Sequence, residues 1–137
     1  MNKNSRIFLA GSSGLVGSAI LRKLKELGYK NIITIRKKKL NLINKNKTFK
    51  FLKKIRPDYV IVASARVGGI VANNSYPAEF IYENLAIELN LIHGSYKAGV
   101  KNLLFLGSSC VYPRNCKQPI KEKYLLEGKL EETNEGY

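Results

Sequence analysis

The feature that most constrains this chain is a run of three glycines spaced three apart, in the stretch "AGSSGLVG" at residues 10–17. A short apolar segment precedes it and an amphipathic segment follows, which predicts a strand, a turn and a helix. Gly11 would permit the tight turn, Gly14 would let phosphates approach the backbone, and Gly17 would let helix and strand pack closely. The helix N-terminus adds unpaired N–H groups and a positive dipole end. The stretch therefore predicts dinucleotide binding, and the alternative is a tight turn without a ligand.

The rest of the chain continues this alternation of strands and helices. The third predicted strand is apolar almost throughout, as in strands buried on both faces of a parallel sheet. The predicted strands are residues 6–10, 31–35, 58–65 and 101–109, and the predicted helices are 14–27, 44–56 and 77–98. An additional short strand near 40–42 is an open alternative, and the last 25 residues are predicted to form loops and short helical turns. This order predicts an α/β fold with a Rossmann-like, doubly wound parallel sheet.

Composition excludes several classes of protein. The 137 residues carry a net charge of +14, and residues 1–57 hold 16 of the 24 basic residues. The lysines are spread over predicted helix faces, and no zinc-finger spacing or aromatic-rich RNA-binding motif accompanies them, so no nucleic-acid partner is predicted. No apolar run approaches the roughly 18 residues of a membrane span. Two cysteines are too few for a disulfide framework. These features predict a cytoplasmic protein without a membrane partner.

The segment after the second predicted strand bears on the choice of cofactor. It reads "IRKKKLNL" at residues 35–42, with four consecutive basic residues from Arg36 to Lys39 and no acid. An acid at this place would bond the ribose 2′-hydroxyl of NAD. A basic cluster would instead suit a 2′-phosphate. The sequence therefore predicts NADP(H), and the alternative is a set of solvated charges on a loop.

Polar residues follow the third and fourth predicted strands. The fourth ends in Gly107-Ser108-Ser109-Cys110. In open α/β sheets ligands bind beyond the carboxyl ends of strands, so Ser108 or Ser109 should face the cofactor crevice. Cys110 is either an exposed thiol of lowered pKa or a buried structural cysteine. The "VGGI" stretch at 67–70, together with the two asparagines that follow it, is predicted to form a glycine-rich loop.

Longer motifs add a resemblance. The GxxGxxG spacing resembles the extended branch of the short-chain dehydrogenase/reductase superfamily. The stretches "VGGIVANNSYPAEFIYEN" (67–84), "LGSSCVYPRNCKQPIKE" (106–122) and "LEETNEGY" (130–137) resemble the GDP-L-fucose synthase family within it. The resemblance runs from Ile7 to Tyr137. It implies an NADPH-dependent enzyme that epimerises and reduces a GDP-sugar, GDP-4-keto-6-deoxy-D-mannose, and whose full-length form is a homodimer.

The same resemblance implies roles for individual residues. Ser108 and Tyr137 would belong to the reductase triad, with the tyrosine as proton donor, and Cys110 would be an acid/base for epimerisation. A departure is Ser12-Ser13, where many family members carry an arginine that contacts phosphate. The predicted cofactor-binding residues are Gly11, Ser12, Ser13, Gly14, Leu15, Val16, Gly17, Arg36, Lys37, Asn41, Leu42, Leu106, Gly107, Ser108 and Ser109.

The position of Tyr137 also carries an expectation. In the family a lysine follows this tyrosine by four residues and lowers its phenol pKa from about 10. We expect residues 1–137 to be an incomplete, NADP-binding N-terminal domain. Its last strand and the sugar-nucleotide domain would lie beyond it, and it would be inactive by itself.

Two other functions stay open at this point. The chain could belong to another NAD(P)-dependent sugar-nucleotide epimerase or dehydratase, although the Ser-Ser-Cys run argues against relatives that do not need the thiol. It could also be a module that binds NADP without chemistry.

Overall fold

The predicted α/β architecture is confirmed by the computed structural model, which describes residues 1–136. Four parallel strands form one sheet in the order β2-β1-β3-β4. The strands are β1 (Ile7–Ala10), β2 (Ile32–Thr34), β3 (Tyr59–Val62) and β4 (Asn102–Phe105), and the helices are α1 (Leu15–Glu26), α2 (Lys45–Ile55), α3 (Ile70–Ser75) and α4 (Pro77–Lys97). Short 3₁₀ turns follow at Ser109–Val111, Glu122–Tyr124 and Glu132–Asn134. Loops and short turns were predicted for this last part of the chain.

The chain divides into two compact units. The first contains Met1–Ala65 and Leu85–Leu106, and therefore the whole sheet. The second contains Arg66–Asn84 and the residues from Gly107 onward, with α3 and the three 3₁₀ turns. Helix α4 begins in the second unit and ends in the first.

The core of the first unit follows from the alternation of side chains along β1. Phe8 is fully buried in one cluster with Leu52 of α2 and Leu91 of α4. Leu9, the next residue, is buried in a second cluster with Leu24 of α1. Successive strand residues point to opposite faces of a sheet, so helices cover both faces. This is why the strand is apolar at every position, and it confirms the doubly wound arrangement.

Helix α2 shows how local sequence sets the boundaries of an element. The Asn44 side chain caps its start by accepting a hydrogen bond from the Lys47 amide at 3.0 Å. At its end Arg56 adopts a left-handed conformation with φ 43°, and Pro57 follows, which cannot continue a helix. The prediction that Pro57 ends this helix is confirmed.

The possible short strand between Leu40 and Leu42 is absent from the described chain. Both leucines instead pack into the core. The Leu42 carbonyl accepts hydrogen bonds from Thr48 Oγ1 at 3.2 Å and Asn90 Nδ2 at 2.9 Å. Asn90 also donates to the Ile43 carbonyl at 2.9 Å. Side chains thus satisfy backbone groups that a neighbouring strand would have satisfied.

Two further predictions differ from the structure. The segment around residues 67–74, predicted as a loop, contains helix α3, which begins after Gly69. The backbone N–H of Asn73 donates to the Gly69 carbonyl at 3.0 Å. The last strand, predicted over 101–109, ends at Phe105. Within the described residues it pairs with β3 alone, and Leu104 is 54% exposed.

Candidate cofactor and catalytic site

The glycine turn adopts a conformation that only glycine fits. Gly11 has φ +84°. A Cβ on Gly11 would overlap the Ala63 carbonyl oxygen and lie 2.8 Å from the Ser64 nitrogen. A Cβ on Gly17 would overlap the carbonyl oxygen of Gly11. The turn after β1 therefore packs directly on the backbone that leaves β3, and α1 packs directly on the turn.

The start of α1 is open to a ligand. Gly14 is its N-cap, no side chain caps it, and its first turn holds no acid. Leu15 and Val16 are 90% and 53% exposed although both are apolar. The unpaired N–H groups and the positive dipole end are thus accessible and unopposed. This arrangement fits a pyrophosphate.

The sheet order places this turn at the switch point of the fold. β1 lies between β2 and β3. The chain moves to one side of β1 to form β2, and then crosses to the other side to form β3 and β4. Ligands of open α/β sheets bind where the strand order reverses in this way. The close approach of Gly11 to Ala63 marks that point.

The basic segment forms a turn directly after β2. The carbonyl of Arg36 accepts hydrogen bonds from the Lys39 amide at 2.9 Å and the Leu40 amide at 3.1 Å. All four basic residues, Arg36 to Lys39, are exposed. Because β1 and β2 are parallel neighbours, the basic turn and the glycine turn follow the same edge of the sheet.

Three other predicted cofactor residues, Asn41, Leu42 and Leu106, differ from one another in their exposure to solvent. Asn41 is exposed, and its Oδ1 accepts a hydrogen bond from the Ile43 amide at 3.1 Å. Leu106 is 37% exposed and its amide donates to the Val62 carbonyl at 3.2 Å. Leu42 is only 8% exposed because its side chain is part of the core.

Two predicted catalytic residues share one turn of the second unit. Ser108 Oγ accepts a hydrogen bond from the Cys110 amide at 3.1 Å, and both residues are half-buried. A hydroxyl that accepts here still has its proton to donate. Gly107 and Ser109 beside them are exposed. The predicted proton donor, Tyr137, lies outside the described residues.

A polar cluster that the sequence did not predict lies after β3, in the second unit. The Asn84 side chain accepts from the Arg66 amide at 2.6 Å and donates to the Arg66 carbonyl at 3.0 Å. The guanidinium pairs with Glu83 and lies 4.8 Å from the Phe80 ring centroid. These bonds fix the segment that leads into α3. No sequence pattern links Arg66 to Glu83 and Asn84, which follow it by 17 and 18 positions.

A groove of about 650 Å³ also went unpredicted. It lies wholly within the second unit, where Arg114 Nε pairs with Glu131 Oε2 at 3.1 Å. Its lining residues are Pro113, Arg114, Asn115, Glu127, Gly128, Lys129, Leu130, Glu132 and Glu135.

No group of three or more possible metal ligands occurs among residues 1–136. In the same part of the chain no helix is long and apolar enough to cross a membrane.

Comparison with known proteins agrees with this geometry. The chain is 52% identical over 137 residues to putative GDP-L-fucose synthase 2 of Arabidopsis thaliana, covering 100% of the chain and 42% of that protein. It is 50% identical over 132 residues to GDP-L-fucose synthase of Escherichia coli K12, covering 96% of the chain and 41% of the relative. The chain thus spans about two fifths of the length of these curated relatives.

A solved structure and a family model complete the comparison. GDP-mannoheptose C4 reductase from Campylobacter jejuni, solved with NADP bound, superposes with a TM-score of 0.92 at 41% identity. The match covers 97% of this chain and 42% of that one. The sequence model of the NAD dependent epimerase/dehydratase family matches residues 7–137. The chain belongs to the NAD dependent epimerase/dehydratase family.

Proposed function

We propose that this chain supplies the cofactor-binding part of an NADPH-dependent enzyme that converts GDP-4-keto-6-deoxy-D-mannose to GDP-L-fucose. The reaction combines epimerisation at carbons 3 and 5 with reduction of the keto group at carbon 4. The observation that carries the proposal is the hydrogen-bonded pair of Ser108 and Cys110 in a chain 52% identical to a putative GDP-L-fucose synthase. Residues 1–137 would form the N-terminal, NADP-binding domain of that enzyme.

The proposed cofactor contacts follow from the first unit. The exposed N–H groups at the start of α1 would bind the pyrophosphate, with Ser12 and Ser13 beside them. Arg36 and Lys37 would bind the 2′-phosphate. Bound NADPH would supply the hydride. Relatives solved with NADP bound support this choice, among them the Campylobacter jejuni reductase.

The proposed chemistry uses three side chains. Ser108 would donate a hydrogen bond to the keto oxygen and Tyr137 would deliver a proton to it. Cys110 would move protons at carbons 3 and 5, which are acidic because the neighbouring keto group stabilises the resulting carbanion. A cytoplasmic location goes with this proposal because the thiol must stay reduced.

The direct test supplies the substrate and NADPH to the protein as its gene encodes it, and identifies the product by NMR. Formation of GDP-L-fucose supports the proposal. A reduced sugar that keeps the configuration of carbons 3 and 5 would favour a second function, reduction of a GDP-keto sugar without epimerisation. The likeness to a GDP-mannoheptose C4 reductase is the observation in favour of that alternative.

Replacing both Arg36 and Lys37 by alanine should weaken NADPH binding about 10- to 100-fold and leave NADH binding unchanged. The reason is the loss of charge-assisted hydrogen bonds to the 2′-phosphate, which NADH lacks. Titration of nicotinamide fluorescence measures both affinities. The matched control is Lys53→Ala with Lys54→Ala, which removes the same charge from the end of α2. An equal loss for both nucleotides would contradict the assigned role of the basic turn.

We also propose that the full-length form is a homodimer. In the first unit α4 exposes an apolar stripe of Leu85, Leu89, Ile92 and Tyr96, which are 48–72% exposed. No lysine or arginine occurs from Leu85 to Tyr96, in a chain of net charge +14. Two copies of such a basic protein would meet with least repulsion on this stripe. Burial raises the pKa of Glu88, the acid on this stretch of helix.

Substitution Leu89→Glu should weaken dimerisation by roughly 30-fold or more, because it places a charge in the centre of an apolar contact. Sedimentation velocity across a concentration series measures the change. Leu126→Glu is the control, since Leu126 is 87% exposed and lies in the second unit. A protein that sediments as a monomer before any substitution would refute the dimer, and an equal effect of both substitutions would refute the stripe as its interface.

A further inference from the structure

We propose that Asn73 and Asn134 form a latch that positions residues 131–136, the segment leading directly into Tyr137. The inference rests on the proposed function, in which Tyr137 is the proton donor. Asn73 would act as a positioning residue through this segment and would not itself touch the substrate.

The contact joins two elements of the second unit. Asn73 lies in the middle of α3 and is 8% exposed. Its Nδ2 donates a hydrogen bond to Asn134 Oδ1, with 3.4 Å between the two atoms. Asn134 ends the last 3₁₀ turn, and its amide donates to the Glu131 carbonyl at 2.8 Å. Helix α3 and this turn pack against each other.

The environment of Asn73 does not favour a polar residue for stability. Its Oδ1 is buried without a hydrogen-bond partner in the described chain. A buried acceptor left unpaired destabilises the fold. A Cβ placed on Gly68 would be 3.5 Å from this oxygen and 2.9 Å from both Ala72 Cβ and Phe80 Cζ, so the oxygen lies in closely packed surroundings. A leucine of similar size would avoid this penalty, and the bond to Asn134 is what the amide adds.

A second contact fixes the other end of the segment. A Cβ on Gly136 would lie 2.9 Å from the Pro77 carbonyl oxygen and 3.2 Å from its Cα. The residue immediately before Tyr137 therefore lies against the first residue of α4. The segment is held at Asn134 by a side chain and at Gly136 by close backbone contact. These two contacts restrict residues 134–136.

Amide hydrogen exchange of the full chain tests the latch without requiring activity. Asn134→Ala should speed exchange at residues 131–136 at least 10-fold, because the acceptor is lost. Asn134→Asp keeps an oxygen acceptor and should exchange like the original protein. Asn73→Leu should also speed exchange in this segment, while its unfolding midpoint in urea stays the same or rises. Asn74→Leu is the exchange control, since Asn74 is the exposed neighbour in the same helix.

Steady-state kinetics then test the positioning role. In the protein as its gene encodes it, Asn134→Ala should lower kcat at least 10-fold and leave the KM for NADPH unchanged, with recovery in Asn134→Asp. Equal exchange and equal kcat in the alanine and aspartate variants would overturn the inference. A protein without reductase activity before any substitution would refute the proposed function, and the exchange data would still decide whether the latch exists.

Discussion

Substitution of Gly11 by alanine is expected to lower the free energy of unfolding by about 3 kcal/mol or more. Forcing an alanine into the left-handed conformation costs roughly 1–2 kcal/mol, and overpacking against fixed atoms typically costs about 1–3 kcal/mol. Both apply, because Gly11 has φ +84° and its missing Cβ would overlap the Ala63 carbonyl oxygen. With urea m-values of about 1–3 kcal/mol/M, the unfolding midpoint should fall by roughly 1–3 M.

The chain offers a matched control for this experiment. Gly28 has φ +78°, close to that of Gly11, but no atom lies within 4 Å of the position its Cβ would take. Gly28→Ala should therefore show only the conformational cost of roughly 1–2 kcal/mol. The difference between the two variants measures how tightly the turn packs on the end of β3. Equal midpoints would contradict the close approach of β1 and β3 at the switch point.

Replacement of Cys110 by serine should slow proton exchange at substrate carbons 3 and 5 by about 100- to 10,000-fold, the usual contribution of a general acid or base. A serine hydroxyl is a far weaker acid than a thiol. The hydrogen bond to Ser108 Oγ uses only the backbone amide of residue 110, so it should survive the substitution. Deuterium uptake from heavy water, followed by NMR on GDP-4-keto-6-deoxy-D-mannose, measures exchange separately from reduction.

Cys116→Ser is the control for the thiol. Cys116 is likewise half-buried and unpaired, in the same unit, and no role is proposed for it. Exchange at normal speed in Cys110→Ser would remove Cys110 from the epimerisation. Absence of exchange in the unsubstituted protein would instead favour the function without epimerisation.

The sheet and the covered faces of the first unit were predictable because their causes are local. An apolar strand, a glycine turn and an amphipathic helix each follow from a few neighbouring residues, as around Gly11 and Leu24. The boundaries of β4 were not predictable in this way. An apolar run reads as one strand, but a strand ends where its pairing partner ends, and β3 ends at Val62.

In the candidate site, too, the features with local causes were predictable and the contacts between distant residues were not. Gly11 and Arg36 lie at turns after β1 and β2, as their sequence positions predicted, whereas Ser108, predicted at the end of the last strand, lies three residues beyond it. The amide of Asn84, which binds the Arg66 backbone, and the contact of Asn73 with Asn134 join residues far apart in the sequence. Neither residue type nor spacing indicates such partners. Helix α3 was missed because glycines next to it read as a loop.

The two hydrogen bonds that Asn90 donates to the carbonyls of Leu42 and Ile43 bear on how this protein could evolve. They anchor the chain just after the basic turn to a helix, without help from the sheet. Because residues 36–39 are exposed, substitutions there should leave the strand pairing and the core intact. If Arg36 and Lys37 bind the 2′-phosphate as proposed, nucleotide preference could change without a change in the fold.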